Sequence, residues 1–377
     1  MKTIAFYLPQ FHEIPENDEW WGKGFTEWVT VKKARPLFKG HNQPEVPLND
    51  NYYCLLDSYV QEDQSKIALE HGVDAFCYYH YWFDGKLLLE KPMENMLNNQ
   101  NIKISFCVSW ANESWARTWD GQDKKILIRQ NNNEKESAWE THYKYLSKFF
   151  KDPRYLKEKN KPIILIYKPH LISNINEMVA FWNKLALKDG FDGLFWGFQH
   201  PTASNNGSVL ELFDFGVEFE PLYTDAEMEG ERTRLHGLDR FFYGVIHPKW
   251  LMSKLKKKIQ KMPSIREYDE VWRRILTRVP KTEKMCPGAF PSWDNTPRKG
   301  SNGICFYGAT PEKFKGYLAE QYKRAQRVYH SNYMFINAWN EWGEGAHLEP
   351  DKNNQYGYLE AVKLAQYMAG IKKENPD

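Results

Sequence analysis

Eight short apolar runs recur along the chain, and each ends in polar and aromatic residues. They are TIAFYLPQFH from Thr3, DAFCYYHYWFD from Asp74, KISFCVSWANE from Lys103, PIILIYKPH from Pro162, GLFWGFQH from Gly193, DFGVEFEP from Asp214, PGAFPSWDN from Pro287 and YMFINAWNEW from Tyr333. Between most of them lie stretches with apolar residues at three- and four-residue spacing, the period of a helix with one buried face. SYVQEDQSKIALEHG, NEMVAFWNKLALKDG and PEKFKGYLAEQYKRAQRVYH are examples. Continuous apolar strands alternating with helices predict a parallel sheet buried on both faces. Eight such units predict an α/β fold, a (β/α)8 TIM barrel with long βα-loop insertions. A doubly wound sheet is the alternative, but no glycine-rich first turn supports it.

In such a barrel the polar strand ends meet at one rim, the face where barrel enzymes carry their chemistry. Tyr7, Gln10, His12, His80, Trp82, Trp110, Asn112, Glu113, Tyr167, His200, Glu218, Glu220, Trp293, Asp294, Glu341 and Glu344 would then share one cleft. Solvated loops are the plainer alternative. Residues 1–370 are expected to form a single catalytic domain, with 371–377 as a tail. Two segments interrupt the alternation. Residues 13–51, rich in Pro, Trp and Asn, are expected to form a lid on the rim, and residues from about 225 to 285 a basic helical insertion. Leu251 to Met285 carries eleven Lys/Arg against four Asp/Glu. Its run SKLKKKIQKM is read first as a solvated helical insertion, with phosphates, an anionic membrane surface or peripheral contact with a lipid-linked glycan as the alternative.

The chain's 377 residues, 42% hydrophobic, allow a large core, and a net charge of +2 argues against wholesale electrostatic binding of nucleic acid. The first residues lack a signal-peptide apolar core, and no stretch approaches the ~18 apolar residues of a membrane span. Cys54, Cys77, Cys107, Cys286 and Cys305 are widely spaced and form no CxxC pair. They predict neither a disulfide framework nor a zinc site, and a reduced, cytoplasmic protein. Aromatic residues make up 16% of the chain, with 15 Trp, 22 Tyr and 22 Phe. Many stand beside Asn, His, Asp and Glu rather than Leu and Val. Ring faces next to hydrogen-bonding groups suit a sugar, whose C–H faces stack while its hydroxyls need partners.

The segment NAWNEWGEG, Asn337 to Gly345, concentrates this chemistry. Hydrolysis of an acetal needs a proton donor at the leaving oxygen and a second carboxylate as nucleophile or base. Glu341 and Glu344 supply both within one turn of backbone. Trp339 and Trp342 offer an apolar wall that raises a carboxyl pKa, and Gly343 and Gly345 permit a tight path. An ordinary loop after a buried strand remains the alternative. Tyr7, His80, Trp82, Trp110, Asn112, Glu113, Trp115, Arg117, Tyr167, Glu218, Trp293, Asp294, Asn340 and Trp342 are the candidate sugar contacts, with Trp82, Trp110 and Trp115 expected to stack on rings. GxGxxG, GxxxxGK, HExxH and GxSxG are all missing. No Asp-x-Asp pair is present to hold a metal against a sugar diphosphate; Glu218-Phe-Glu220 and Glu227-Met-Glu229 come nearest. No cofactor or metal is expected.

YLPQFHEIPENDEWWGKGFTEW, PLFKGHNQP, FCYYHYWFDGK, WANESWARTWDG and WNEWGEGAHLEP together resemble the glycoside hydrolase family 99-like (WbsX-type) domain over nearly the whole chain. The resemblance implies a (β/α)8 barrel from bacterial polysaccharide gene clusters, where such proteins are often described as glycosyltransferases or lipopolysaccharide biosynthesis proteins. Family 99 proper contains retaining endo-acting α-mannosidases and α-mannanases with a similar Trp-Asn-Glu-Trp-x-Glu-Gly segment. By that resemblance Glu344 is the general acid/base, and Glu341 helps the substrate's own 2-hydroxyl attack the anomeric carbon. Gly343 stands at the variable position, so a side-chain contact made there by relatives is lost. Three functions are carried forward: a retaining glycoside hydrolase acting on an oligo- or polysaccharide, a glycosyltransferase or transglycosylase of O-antigen or capsule assembly, and a non-catalytic glycan-binding protein.

Overall fold

The computed structural model of the chain describes residues 1–116, 126–132, 135–200, 211–231 and 262–372, with the backbone alone of His200. Each apolar run forms a strand of one parallel sheet. The strands are β1 (Lys2–Tyr7), β2 (Ala75–Phe83), β3 (Ser105–Trp110), β4 (Lys161–Ile166), β5 (Phe195–His200) and β6 (Phe215–Glu218). β7 consists of two short pieces, Met285–Cys286 and Gly288–Ala289, and β8 is Tyr333–Ile336. Neighbours pair in chain order from β1 to β6. β8 pairs with β1 in the register Ile4↔Phe335.

The seventh strand closes the ring in two halves. Met285–Cys286 pairs with β6, while Gly288–Ala289 pairs with β8. Pro287 between them has no N–H to give a ladder, and its carbonyl accepts from Phe335 N at 3.2 Å. Gly288 is needed where the halves change partner, since a Cβ there would lie 1.9 Å from the Glu218 carbonyl oxygen. Counted this way, nine strand segments make eight staves.

Helices alternate with the strands and cover the outside. They include Ser58–Glu70, Lys91–Asn98, Glu136–Phe150, Ile175–Lys188, Tyr268–Thr277, Pro311–Arg327 and Gly357–Met368. Pro311–Arg327 starts as its sequence requires: Pro311 stands in the first turn and the Thr310 hydroxyl accepts from Lys313 N. Alternate strand residues point inward and outward. Phe6 packs inside against Tyr79, Phe219 and Phe335. Thr3 and Tyr7 point outward, to Tyr322 and Gln64 on the helices.

The excursion after β1 holds two short helices, Pro15–Trp21 and Glu27–Lys33. Of the basic insertion, residues 232–261 lie outside the described residues. The remainder supplies Ser264–Glu267 and Tyr268–Thr277, anchored by buried ion pairs of Arg266 with Asp225 and of Arg278 with Glu218 and Glu220. All five cysteines are free. No helix among the described residues is long and apolar enough to cross a membrane.

Candidate active site

The segment after β8 folds back on itself as a tight hairpin. Asn340–Glu341 pairs antiparallel with Ala346–His347, and Trp342–Glu344 makes a 3-10 turn. Gly345 ends that turn in the left-handed region, at φ 58°, where a Cβ is disfavoured. The hairpin is locked to the barrel by side chains. Asn340 accepts from Leu8 N at 2.7 Å and donates to Leu8 O at 3.0 Å, which extends the β1 ladder by one residue. Trp342 and Trp339 donate their indole N–H groups to Glu349, at 2.7 and 3.1 Å.

The hairpin turns both glutamates toward one guanidinium. Arg298, in the short helix Thr296–Lys299, contacts Glu341 at 2.5 Å and Glu344 at 2.8 Å with its two terminal nitrogens. Its Nε donates to Glu27 at 2.8 Å. Glu27, in the excursion after β1, is wholly buried. Gly343 makes room for this clamp, because a Cβ there would stand 1.6 Å from Glu27 Oε1 and 2.7 Å from Arg298 Nε. The loop that carries Arg298 is itself fixed. Asp294 accepts from His41, Gln43 and Thr296 N, and its own N–H donates to the Glu344 carbonyl at 2.7 Å.

One positive charge faces three carboxylates here. Burial raises the Glu341 pKa. Arg298 pulls it down, Glu344 and Glu27 push it up again, and the result is about 8. Glu341 therefore holds its proton more tightly than a free carboxyl group does. Arg298 loses to burial but gains more from the three carboxylates, so it stays charged. Glu344 is the more accessible of the hairpin pair, its side chain 22% exposed against 8% for Glu341.

A cleft of about 240 Å³ opens above the pair. Tyr79, Tyr81, Trp115 and Tyr167 supply aromatic walls, and Leu8, Phe219 and Leu222 apolar ones; Glu113, Ser114 and Asn337 add polar groups. Glu113 pairs with Lys168. Trp115 is braced by Tyr81 at 5.0 Å and Trp20 at 5.8 Å. Of the residues expected to share a cleft or to contact sugar, the structure brings together Glu113, Trp115, Tyr167, Glu341 and Glu344.

The others are placed elsewhere, mostly because they stand on the outward face of their strand. Tyr7 bonds Gln64 at 2.6 Å on helix Ser58–Glu70. His80, Trp82 and Trp110 pack around His142 of helix Glu136–Phe150, with Trp82 stacked on its ring at 4.4 Å. Glu218 is buried against Arg278 and Tyr329. Asn112 clasps the Lys168 backbone through both its amide atoms. Asn340, Trp342 and Asp294 support the hairpin and its neighbouring loop, and Trp293 is buried beside Asp294. Gln10 and His12 are buried, and Glu220 joins the Arg278 pairs. The expected tryptophan wall around the acid thus takes another form, with both indoles committed to Glu349. Arg117 and the His200 side chain lie outside the described residues.

Tyr79, Tyr81, Arg298 and Glu27 were not anticipated from the sequence. Tyr79 and Tyr81 sit one residue from His80 and Trp82, so the signal was present with the wrong parity. Glu27 and Arg298 lie far from the hairpin in the chain, and no local pattern marks them.

The sequence profile of the family described as Glycosyltransferase WbsX matches residues 3–362. A protein described as uncharacterized protein WxcX from Xanthomonas campestris pv. campestris is 36% identical over 369 residues, 96% of this chain and 49% of that one. Its counterpart from strain B100 is 37% identical over the same length. The chain spans about half the length of the curated relatives it matches. Among solved structures, two of the GH99 endo-alpha-mannosidase from Bacteroides thetaiotaomicron align with TM-scores of 0.53 and 0.58, at 14% and 13% identity. They cover 98% of this chain and 96% and 97% of theirs. A structure described as a glycoside hydrolase-like protein gives 0.55 at 13% identity, covering 97% of this chain and 93% of its own. At such identities the likeness is one of fold.

Proposed function

The chain belongs to the WbsX glycosyltransferase family, and from that premise we propose that it cleaves glycosidic bonds of an oligo- or polysaccharide with retention of anomeric configuration. The observation that carries this reading is the arginine-clamped carboxylate cluster on the mouth of the barrel, roofed by a cleft with tyrosine and tryptophan walls. Glu344, the more accessible of the pair, gives its proton to the leaving oxygen and later takes one from the incoming water. Glu341, deeper and harder to ionise, takes the proton of the sugar's 2-hydroxyl as that oxygen attacks the anomeric carbon, and returns it to the 2-oxygen when water opens the resulting three-membered ring. Both carboxylates are gripped by one planar fork, which favours a neighbouring-hydroxyl attack over carboxylates facing each other across the ring. An α-mannosidic linkage is the first to test, since similarly folded structures include an endo-alpha-mannosidase.

Transfer to an acceptor sugar is the second reading, favoured by the family's description. It needs the same first step, with an acceptor hydroxyl in place of water.

The experiment separates the two glutamates. A fluoride or acidic phenol leaves without a proton, so Glu344→Gln is expected to cleave such substrates while losing about 10²–10⁴-fold on natural linkages. Glu341→Gln is expected to be poor on both, and proton NMR at early times to find retained product. Equal rescue of both variants by an activated leaving group would remove the role assignment.

A further inference from the structure

A cavity of about 660 Å³ lies apart from the catalytic cleft. It lies between residues 47–67 and the other side of the hairpin region, where Trp339, Trp342 and Glu349 form one wall. Its size falls within the range of small-molecule sites, roughly 300–1,000 Å³.

The lining is selective in chemistry. It contains Asp50, Asp57, Asp63 and Glu349 but no Lys, Arg or His. The nearby Lys32 ammonium is engaged over the Tyr52 ring, 3.8 Å from its centroid. Such a surface repels phosphate, sulfate and uronic acids. Tyr59 is 58% exposed at the cavity, and Tyr356, stacked on His71 at 5.9 Å, keeps 37% of its surface exposed. The side chains of Asn49, Asn51, Asp57 and Asp63 make no hydrogen bond or ion pair within the described residues, although they line the same space. Amides and carboxylates left open beside exposed phenol rings match a hydroxyl-rich molecule with apolar C–H faces.

The frame behind these groups is rigid. Glu349 accepts from Trp342, Trp339, Tyr53 and Gln64, so the wall is saturated and offers no competing site. The loop is strapped to the chain beyond the hairpin by Leu48 N to Pro350 O at 3.0 Å and Lys352 N to Val46 O at 2.8 Å. A preformed site of this kind loses little entropy on binding.

We propose that this cavity is a second saccharide-binding site, separate from the cleft and specific for uncharged sugar chains. It goes beyond the catalytic reading and stands on its own lining.

The test uses saturation-transfer NMR in the Glu344→Gln background, which limits turnover. The probes are neutral trisaccharides of glucose, mannose, galactose and N-acetylglucosamine, with trigalacturonate as the anionic arm. At least one neutral trisaccharide is expected to bind and trigalacturonate is not. Tyr59→Ala with Asp63→Ala, both exposed positions that leave the core alone, is expected to weaken that binding by about tenfold or more, while Trp115→Ala in the cleft leaves it measurable. Binding lost only in Trp115→Ala overturns the second site and leaves the cleft reading intact. Silence from the whole neutral panel overturns it, as does a calcium ion bound by Asp57 and Asp63 in place of sugar.

Discussion

Three carboxylates sharing one guanidinium make the pH dependence of this site a property of single residues. Burial first, and the neighbouring Glu344 and Glu27 next, hold the Glu341 pKa up, against Arg298, at about 8. If Glu341 must be ionised to take the 2-hydroxyl proton, kcat/KM is expected to climb by about tenfold per pH unit as the pH rises toward that value. Glu341→Gln is expected to abolish the limb along with the activity that depends on it. A wild-type profile already flat between pH 6 and 8 would assign the proton transfer to another group. Gly343 gives a second prediction at this scale. Gly343→Ala drives a methyl into Glu27 and Arg298, so it is expected to cost about 1–3 kcal/mol of stability and to lower kcat. Because Glu27→Ala injures the same clamp, the double variant is expected to be less impaired than the two single effects multiplied. Independent effects would show that the clamp is not what Gly343 protects.

At the scale of elements, the strands explain what the sequence could and could not reveal. All eight apolar runs became staves, and SYVQEDQSKIALEHG, NEMVAFWNKLALKDG and PEKFKGYLAEQYKRAQRVYH became helices, because length and period distinguish the two. Which face of a stave looks inward was not legible. A barrel strand is buried on both sides, and in AFCYYHYWF rings occupy inward and outward positions alike, so no alternation sets the parity. A one-residue error then exchanges Tyr79 and Tyr81 for His80 and Trp82. The hairpin escaped this, since its glutamates stand apart from any alternating strand. Trp110 measures the consequence. Its indole packs edge-on to His142 at 4.8 Å, with its N–H near the Trp82 carbonyl. Trp110→Ala is therefore expected to destabilise the fold by about 3–5 kcal/mol and to leave glycan affinity of the folded fraction unchanged. Weaker binding at undiminished melting temperature would return Trp110 to the cleft.

For the whole molecule, the balance of charge at the barrel mouth bears on what kind of donor can enter. Among the described residues, Glu27, Glu113, Glu341 and Glu344 face only Arg298 and Lys168, and both cations are already paired. A sugar linked to a diphosphate would bring further negative charge into this surplus, without an Asp-x-Asp pair to hold a compensating metal. The one group of side chains among the described residues with metal-ligand atoms in reach, His41, Asp294 and Cys305, lies outside the cleft. His41 Nδ1 accepts from Leu37 N at 3.0 Å, so its Nε2 carries the proton and donates to Asp294 at 2.7 Å. That arrangement satisfies the imidazole without an ion. Neutral oligosaccharides are accordingly expected to be processed at the same rate before and after exhaustive chelation, whereas nucleotide-sugars and lipid-diphosphate sugars are expected to be left intact with or without manganese. Mass spectrometry of incubations with and without an acceptor sugar follows both arms, since water adducts report hydrolysis and lengthened chains report transfer. Turnover lost in EDTA and restored by a divalent ion, or sugar released from a diphosphate donor, would mean that cations from outside the described cleft complete the site.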